Sequence, residues 1–135
     1  MYYSKRLRLR ACERTDIPRF VEWLSDPEVT AGLSMVYPMG IEDETRWFDS
    51  TMGQPLELHP YVIEVKDGKE WKPIGNCGYH DINWRNASGE VGIFIGEKSL
   101  WNKGYGTEAL HLLMKVGFET LNLHRIWLRV YATNL

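Results

Sequence analysis

The residues best suited to chemistry lie in one stretch, Leu100-Trp101-Asn102-Lys103-Gly104-Tyr105-Gly106-Thr107-Glu108-Ala109. A strand pattern precedes it and a long apolar helix pattern follows. Gly104 and Gly106 carry no Cβ, which lets backbone N–H groups turn toward a ligand. The helix behind them contributes unpaired N–H groups and a partial positive charge. Together these make an anion site suited to a pyrophosphate. Lys103 adds a cation and Thr107 a hydroxyl. Read without a ligand, the stretch is a tight strand-to-helix turn.

Gly104-x-Gly106-x-x-Ala109 also satisfies a dinucleotide-binding fingerprint. That fingerprint needs an acid about 20 residues on, after the next strand. The segment Tyr131-Ala132-Thr133-Asn134 has none. The strands before the loop also read as antiparallel, which a doubly wound sheet does not have. Cys12 and Cys77 stand alone, and the four His lack ligand spacing, so neither a metal site nor a disulfide framework is expected.

Several elements must position this loop. Leu7–Ala11 alternates Leu with Arg and reads as a strand with one wet face. Thr15 offers an N-cap oxygen to a helix with Pro18 in its first turn and Phe20, Val21 and Leu24 on one side. It ends near Asp26-Pro27. Pro38-Met39-Gly40 breaks the chain. Glu42, Asp43 and Glu44 then crowd the start of a second helix, where the dipole favours acids. Trp47, Phe48 and Met52 form its apolar face. The period then becomes two. Tyr61–Val65, Ile74–Ile82 and Glu90–Ile95 read as strands, the first two joined at Asp67-Gly68. Val91, Ile93 and Ile95 share one face of the last, with Glu90, Gly92 and Phe94 on the other. A helix spans about Thr107 to Leu121, and a final strand Arg125–Tyr131. The order predicts an α+β fold with a mostly antiparallel sheet and one parallel crossover.

The formal net charge of -2 offers nucleic acid no general attraction. Apolar runs are only a few residues long, so no membrane span is expected. Two cysteines and no signal segment point to the cytoplasm.

With these residues in order, the chain resembles the GNAT superfamily of N-acetyltransferases. The likeness is to the branch of ribosomal-protein N-terminal acetyltransferases and spermidine acetyltransferases. The loop Trp101–Gly106 with Thr107-Glu108-Ala109 carries it. So do the Trp23–Val29 segment with its Asp26-Pro27-Glu28, the strand Glu90-Val91-Gly92-Ile93, the run Asn122-Leu123-His124-Arg125-Ile126 and the Ala132-Thr133-Asn134 end. The superfamily motif opens with Arg or Gln, where this chain has Trp101.

The resemblance implies acetyl-coenzyme A as cosubstrate and no metal. Its pyrophosphate would rest on backbone N–H groups of Asn102, Lys103, Gly104, Tyr105, Gly106 and Thr107. Its pantetheine arm would run between the strands before and after the loop, which splay in the family. The arm would meet backbone at Ile93, Phe94 and Ile95, and the side chain of Asn134. The acceptor would be a primary amine: a protein N-terminus, a polyamine or a small molecule. Glu90, on the strand beside the expected thioester, would take the amine's proton, with pairing to a neighbouring strand as its structural alternative. His80 is a second base, read more simply as a hydrogen-bonded strand residue. The chain ends at Leu135, before the family's last helix, which carries a Tyr proton donor, and two last strands. The resemblance therefore implies one domain over residues 1–135, incomplete at its C-terminus. A final strand without neighbours would invite a second copy of the chain. The rival function is a non-catalytic acyl-coenzyme A binding module.

Overall fold

The computed structural model describes residues 1–31, 33 and 37–128. Two short strands open it, β1 (Tyr2–Tyr3) and β2 (Leu7–Ala11). The helices α1 (Ile17–Leu24), α2 (Pro27–Thr30) and α3 (Ile41–Met52) follow. Then come β3 (Tyr61–Asp67), β4 (Glu70–Asn83), β5 (Ser88–Ile95), α4 (Tyr105–Lys115) and β6 (Arg125–Trp127). The six strands form one sheet in chain order. Every pairing is antiparallel except that of β5 with β6. The α+β expectation holds, with α4 as the parallel crossover.

Alternation sorts the strand residues onto two covered faces. Leu7, Leu9, Ile63, Val65, Ile74, Tyr79 and Val91 pack under α4 against Ala109, Leu112 and Leu113. On the other face Cys12 and Val62 pack against α1 and α3 through Ile17, Phe20, Trp23 and Phe48. The Arg face of β2 is therefore not wet. Arg8 and Arg10 clasp Glu64 of β3 at 2.7 and 2.9 Å, and Arg10 meets Asp16 at 2.7 Å. Charges brought under a helix must pair, because an isolated buried charge is expensive.

Three boundaries differ from the pattern reading. Thr15 does not cap α1. A 3₁₀ turn, Arg14–Asp16, precedes the helix, and the Asp16 carboxylate accepts the Glu13 N–H at 2.8 Å. The helix α4 begins at Tyr105 and passes into a π turn over Val116–Thr120. The Tyr79 hydroxyl donates to the Leu113 carbonyl at 2.8 Å and so enters the helix ladder where it widens. The last strand is described only as far as Trp127. Arg129–Tyr131, assigned to it from sequence, lies outside the described residues, as does Asn134. Among the described residues no helix is long and apolar enough to cross a membrane.

Candidate functional site

The glycine loop leaves the C-terminal end of β5 and enters α4. Trp101 ties it back, its indole N–H donating to the Ile95 carbonyl at 2.8 Å. The bond gives Trp101 a structural task. Asn102 (φ 62°) and Gly104 (φ 81°) both take left-handed backbone. Glycine adopts that region without cost, and Asn is among the few residues that tolerate it. The first helical bond runs from the Glu108 N–H to the Gly104 carbonyl at 3.0 Å. Helix geometry then leaves the N–H groups of Tyr105, Gly106 and Thr107 without helical partners. A Cβ built on Gly106 would meet only the Ile95 Cγ1, at 3.8 Å.

A residue missed in the sequence sits over this loop. Arg6, between β1 and β2, donates from Nη1 to the Lys103 carbonyl at 3.0 Å and from Nε to Glu108 at 2.7 Å. Its guanidinium lies 4.3 Å from the Tyr105 ring centre. Glu108 also accepts from the Arg6 N–H and the Ser4 hydroxyl. Burial alone would raise the Glu108 carboxyl. The bonds from Ser4 and Arg6 outweigh it and hold the group below the usual carboxylate value. Arg6 lies just ahead of the alternating strand Leu7–Ala11, and nothing local marks its long-range partner. Free N–H groups, two left-handed residues and the cations Arg6 and Lys103 fit a pyrophosphate well.

The Trp23–Val29 motif and the loop are one assembly. The Trp23 indole N–H donates to Glu97 at 3.1 Å, and a Cβ on Gly96 would overlap the Trp23 ring. Lys98 bridges Asp26 at 2.8 Å and Glu28 at 3.5 Å. So α1 and α2 hold the residues that lead into the loop.

All of β5 pairs with β4, from Ser88 to Ile95. Among the described residues β6 pairs only with Ser88, Gly89 and Glu90. The part of β5 next to the loop, Val91 to Ile95, includes Ile93 and Phe94. The Ile95 carbonyl on that stretch is already an acceptor for Trp101.

On the α1/α3 face of β5 lie Glu90, Gly92 and Phe94. Phe94 meets Trp23 edge-on, ring centres 6.0 Å apart. Glu90 is half-buried and in register with Asp81 of β4 and Trp127 of β6. His80 behaves differently from the expectation. Its ring has no hydrogen-bond partner among the described residues, is exposed and lies over Gly92, where a Cβ would overlap it. It forms one wall of a cleft of about 260 Å³ between α3 and β4, with Trp47, Thr51, Gln54, Asn76 and Gly78. A second hollow of about 360 Å³, by β1 and Met52, holds Cys12. Burial pushes that thiol up to about 12, which disarms it as a nucleophile.

The three acids of α3 separate by role. Asp43 accepts the Gly40 N–H at 2.9 Å and meets Arg46 at 2.7 Å, so it caps the helix. Glu44 is buried, and burial raises its carboxyl above the usual value. Glu42 is exposed. Among the described residues no three His, Cys, Asp or Glu gather in a group that could hold a metal ion.

With this geometry in hand, comparison with known proteins is informative. The acetyltransferase (GNAT) domain family model matches residues 6–135. The uncharacterized N-acetyltransferase p20 of Bacillus licheniformis is 32% identical over 98% of this chain and 74% of its own length. The chain thus spans about three-quarters of that relative. A spermidine N-acetyltransferase from Vibrio cholerae, solved with CoA and spermine, superposes with a TM-score of 0.84. It is 21% identical, with 97% of this chain and 75% of that one covered, a likeness of fold. A GNAT-family acetyltransferase from Bacillus anthracis gives a TM-score of 0.74 at 25% identity, with 93% of this chain and 70% of that one covered.

Proposed function

From the premise that this chain belongs to the acetyltransferase (GNAT) domain family, we propose that it moves the acetyl group of acetyl-coenzyme A to a primary amine. One observation carries the reading. The anion cradle at Asn102–Thr107, with left-handed Asn102 and Gly104 ahead of α4, is tied to the C-terminal end of β5 by the Trp101 indole. A pyrophosphate on the cradle directs a pantetheine arm along that strand, past Ile95, Phe94 and Ile93. Backbone N–H groups of Tyr105, Gly106 and Thr107 take the phosphates, with Arg6 and Lys103 adding positive charge. Acetyl-coenzyme A supplies the activated acetyl group. The protein's part is to orient it, to exclude water and to accept the amine's proton.

Glu90, on the same strand, is the carboxylate nearest the expected reaction centre in sequence order and serves proton removal in this reading. Our finer assignment is to the branch of ribosomal-protein N-terminal and spermidine acetyltransferases. The solved neighbour with spermine makes a polyamine the first acceptor to try. We read the β6 edge as a surface for self-association.

The test has two arms. Calorimetry measures coenzyme A binding, and thiol release follows acetylation of a panel: spermidine, peptides with free N-termini and aminoglycosides. Turnover with any amine supports the enzyme. Binding without turnover on the whole panel leaves an acyl-coenzyme A binding module, and the absence of binding removes the cradle.

A further inference from the structure

The cleft between α3 and β4 ends on a group whose position the strand pattern does not predict. The pairing of β4 with β5 slips between Tyr79 and Asp81, so that Gly78 faces Gly92, Tyr79 faces Val91, and Asp81 faces Glu90. His80 is the extra residue of this bulge. Bulges re-aim side chains and recur beside active sites. Tyr79 points under α4, to the Leu113 carbonyl. His80 turns to the opposite face, where Gly78 lets Pro60 approach and Gly92 makes room for the imidazole. The imidazole lies across Gly92, the residue between Val91 and Ile93 on the strand that would carry the thioester. Glu90 is two residues away along the same face, about 7 Å by strand geometry.

We propose that the His80 imidazole, set over Gly92 by the β4 bulge, accepts the ammonium proton of an amine seated in the α3–β4 cleft. The inference rests on the acetyl-transfer reading above and specifies its acceptor side. The cleft suits a small alkylammonium group. Trp47 offers an aromatic face, and Thr51, Gln54 and Asn76 offer hydrogen-bond acceptors. The exposed ring can exchange protons with both amine and water. His80 takes a proton from R–NH₃⁺, and the nitrogen lone pair forms the C–N bond at the acetyl carbonyl. The C–S bond breaks and the sulfur leaves with its electron pair. The second nitrogen proton goes to that sulfur, giving the thiol and the amide. The imidazolium returns its proton to solvent. Titratable groups near it are Asp81, next on β4, Glu90 on β5 two residues from Gly92, and His59 beside Pro60. In this proposal the first proton acceptance passes from Glu90 to His80, and Glu90, two residues from Gly92 on β5, becomes a positioning carboxylate.

The experiment compares the full chain with His80→Gln and Gly92→Ala, using thiol release with an amine the wild type acetylates, across pH. Each variant is checked for its melting temperature and for coenzyme A affinity by calorimetry. His80 is exposed, so His80→Gln should fold as the wild type does. Its kcat should drop roughly 10²-fold or more near neutral pH, with coenzyme A affinity unchanged. The deficit should narrow as pH rises toward the amine's own pKa, because the amine then arrives neutral. Gly92→Ala keeps the imidazole but displaces it, and should show the same narrowing deficit. Added imidazole should partly restore a His80→Ala variant. Wild-type kcat and an unaltered pH profile in His80→Gln would overturn this role while leaving acetyl transfer standing. A wild type that binds coenzyme A but acetylates no amine would overturn both.

Discussion

At Gly104 a substitution acts first on the protein and only then on a ligand. The backbone there sits at φ 81°, and a Cβ would meet Arg6 Nη2 at 3.3 Å. Gly104→Val therefore strains the loop before any phosphate arrives, and lost affinity in it would not isolate the cradle. Thr107 is the cleaner probe. It is exposed in the first turn of α4, where a carboxylate favours the helix dipole but repels a pyrophosphate. Thr107→Glu should keep or raise the melting temperature while weakening coenzyme A binding about tenfold or more, which calorimetry beside thermal denaturation will read. Glu90→Gln should lower kcat roughly 10²-fold with affinity retained. If Glu90 and His80 serve one proton path, the double variant should be little slower than either single one, and unrelated roles would multiply. Glu44 gives a third test. Its folded carboxyl is raised by burial and then by Asp43. A raised carboxyl stabilises the fold fully only below its unfolded value, and that contribution is lost as pH rises through the folded value. Glu44→Gln should thus raise the melting temperature at pH 8 and change it little near pH 4.

At the scale of elements, the site depends on contacts between segments far apart in sequence. The strand end and the loop are gripped by Trp23, Asp26 and Glu28 through Gly96, Glu97 and Lys98. Gly96→Ala would drive its methyl into the Trp23 ring. Such overpacking costs about 1–3 kcal/mol, visible in denaturant unfolding, and it should also loosen coenzyme A binding because the loop's anchor shifts. Wild-type affinity in a folded Gly96→Ala variant would show that the loop holds its shape without α1. The two motifs stand roughly 70 residues apart. Their chemistry is legible separately, and their partnership becomes visible only when α1 is laid against the end of β5.

Across the whole molecule, buried charge and an open edge matter most. Glu64 is held between Arg8 and Arg10, with Asp16 beyond. Burial alone would raise Asp16, but Arg10 and the Glu13 N–H hold it low. Stability from a lowered carboxyl is present above the unfolded value and lost as pH falls through the folded one. Unfolding scans should therefore show this contribution disappearing in the acid range, and Asp16→Asn should remove that dependence. Glu64→Gln leaves Arg8 without its carboxylate, while Arg10 keeps Asp16. Breaking a fully buried pair costs about 3–5 kcal/mol, and the partial exposure of both Arg side chains places the loss toward or below the lower end. Among the described residues β6 is the outermost strand on one side of the sheet, and Leu128 beyond it is 39% exposed. Sedimentation over a range of concentrations should reveal self-association that Trp127→Lys weakens. A chain that stays monomeric throughout removes the proposal.

Local patterns were enough for the elements and the anion loop. Periods of two and of 3.6 place β2 to β5, α1, α3 and α4 to within a few residues, because apolar alternation must match a buried face. Gly104 and Gly106 before a helix mark the proposed cradle, since its N–H groups belong to one short segment of chain. What needs two distant segments could not be read that way. The Arg6–Glu108 clasp, the Trp23 grip on Gly96 and the charge network under α1 each join residues whose local signals are silent about one another. The same holds for His80. A one-residue slip in strand pairing decides which face a side chain takes, and only the tertiary register between β4 and β5 shows that slip at Tyr79–Asp81.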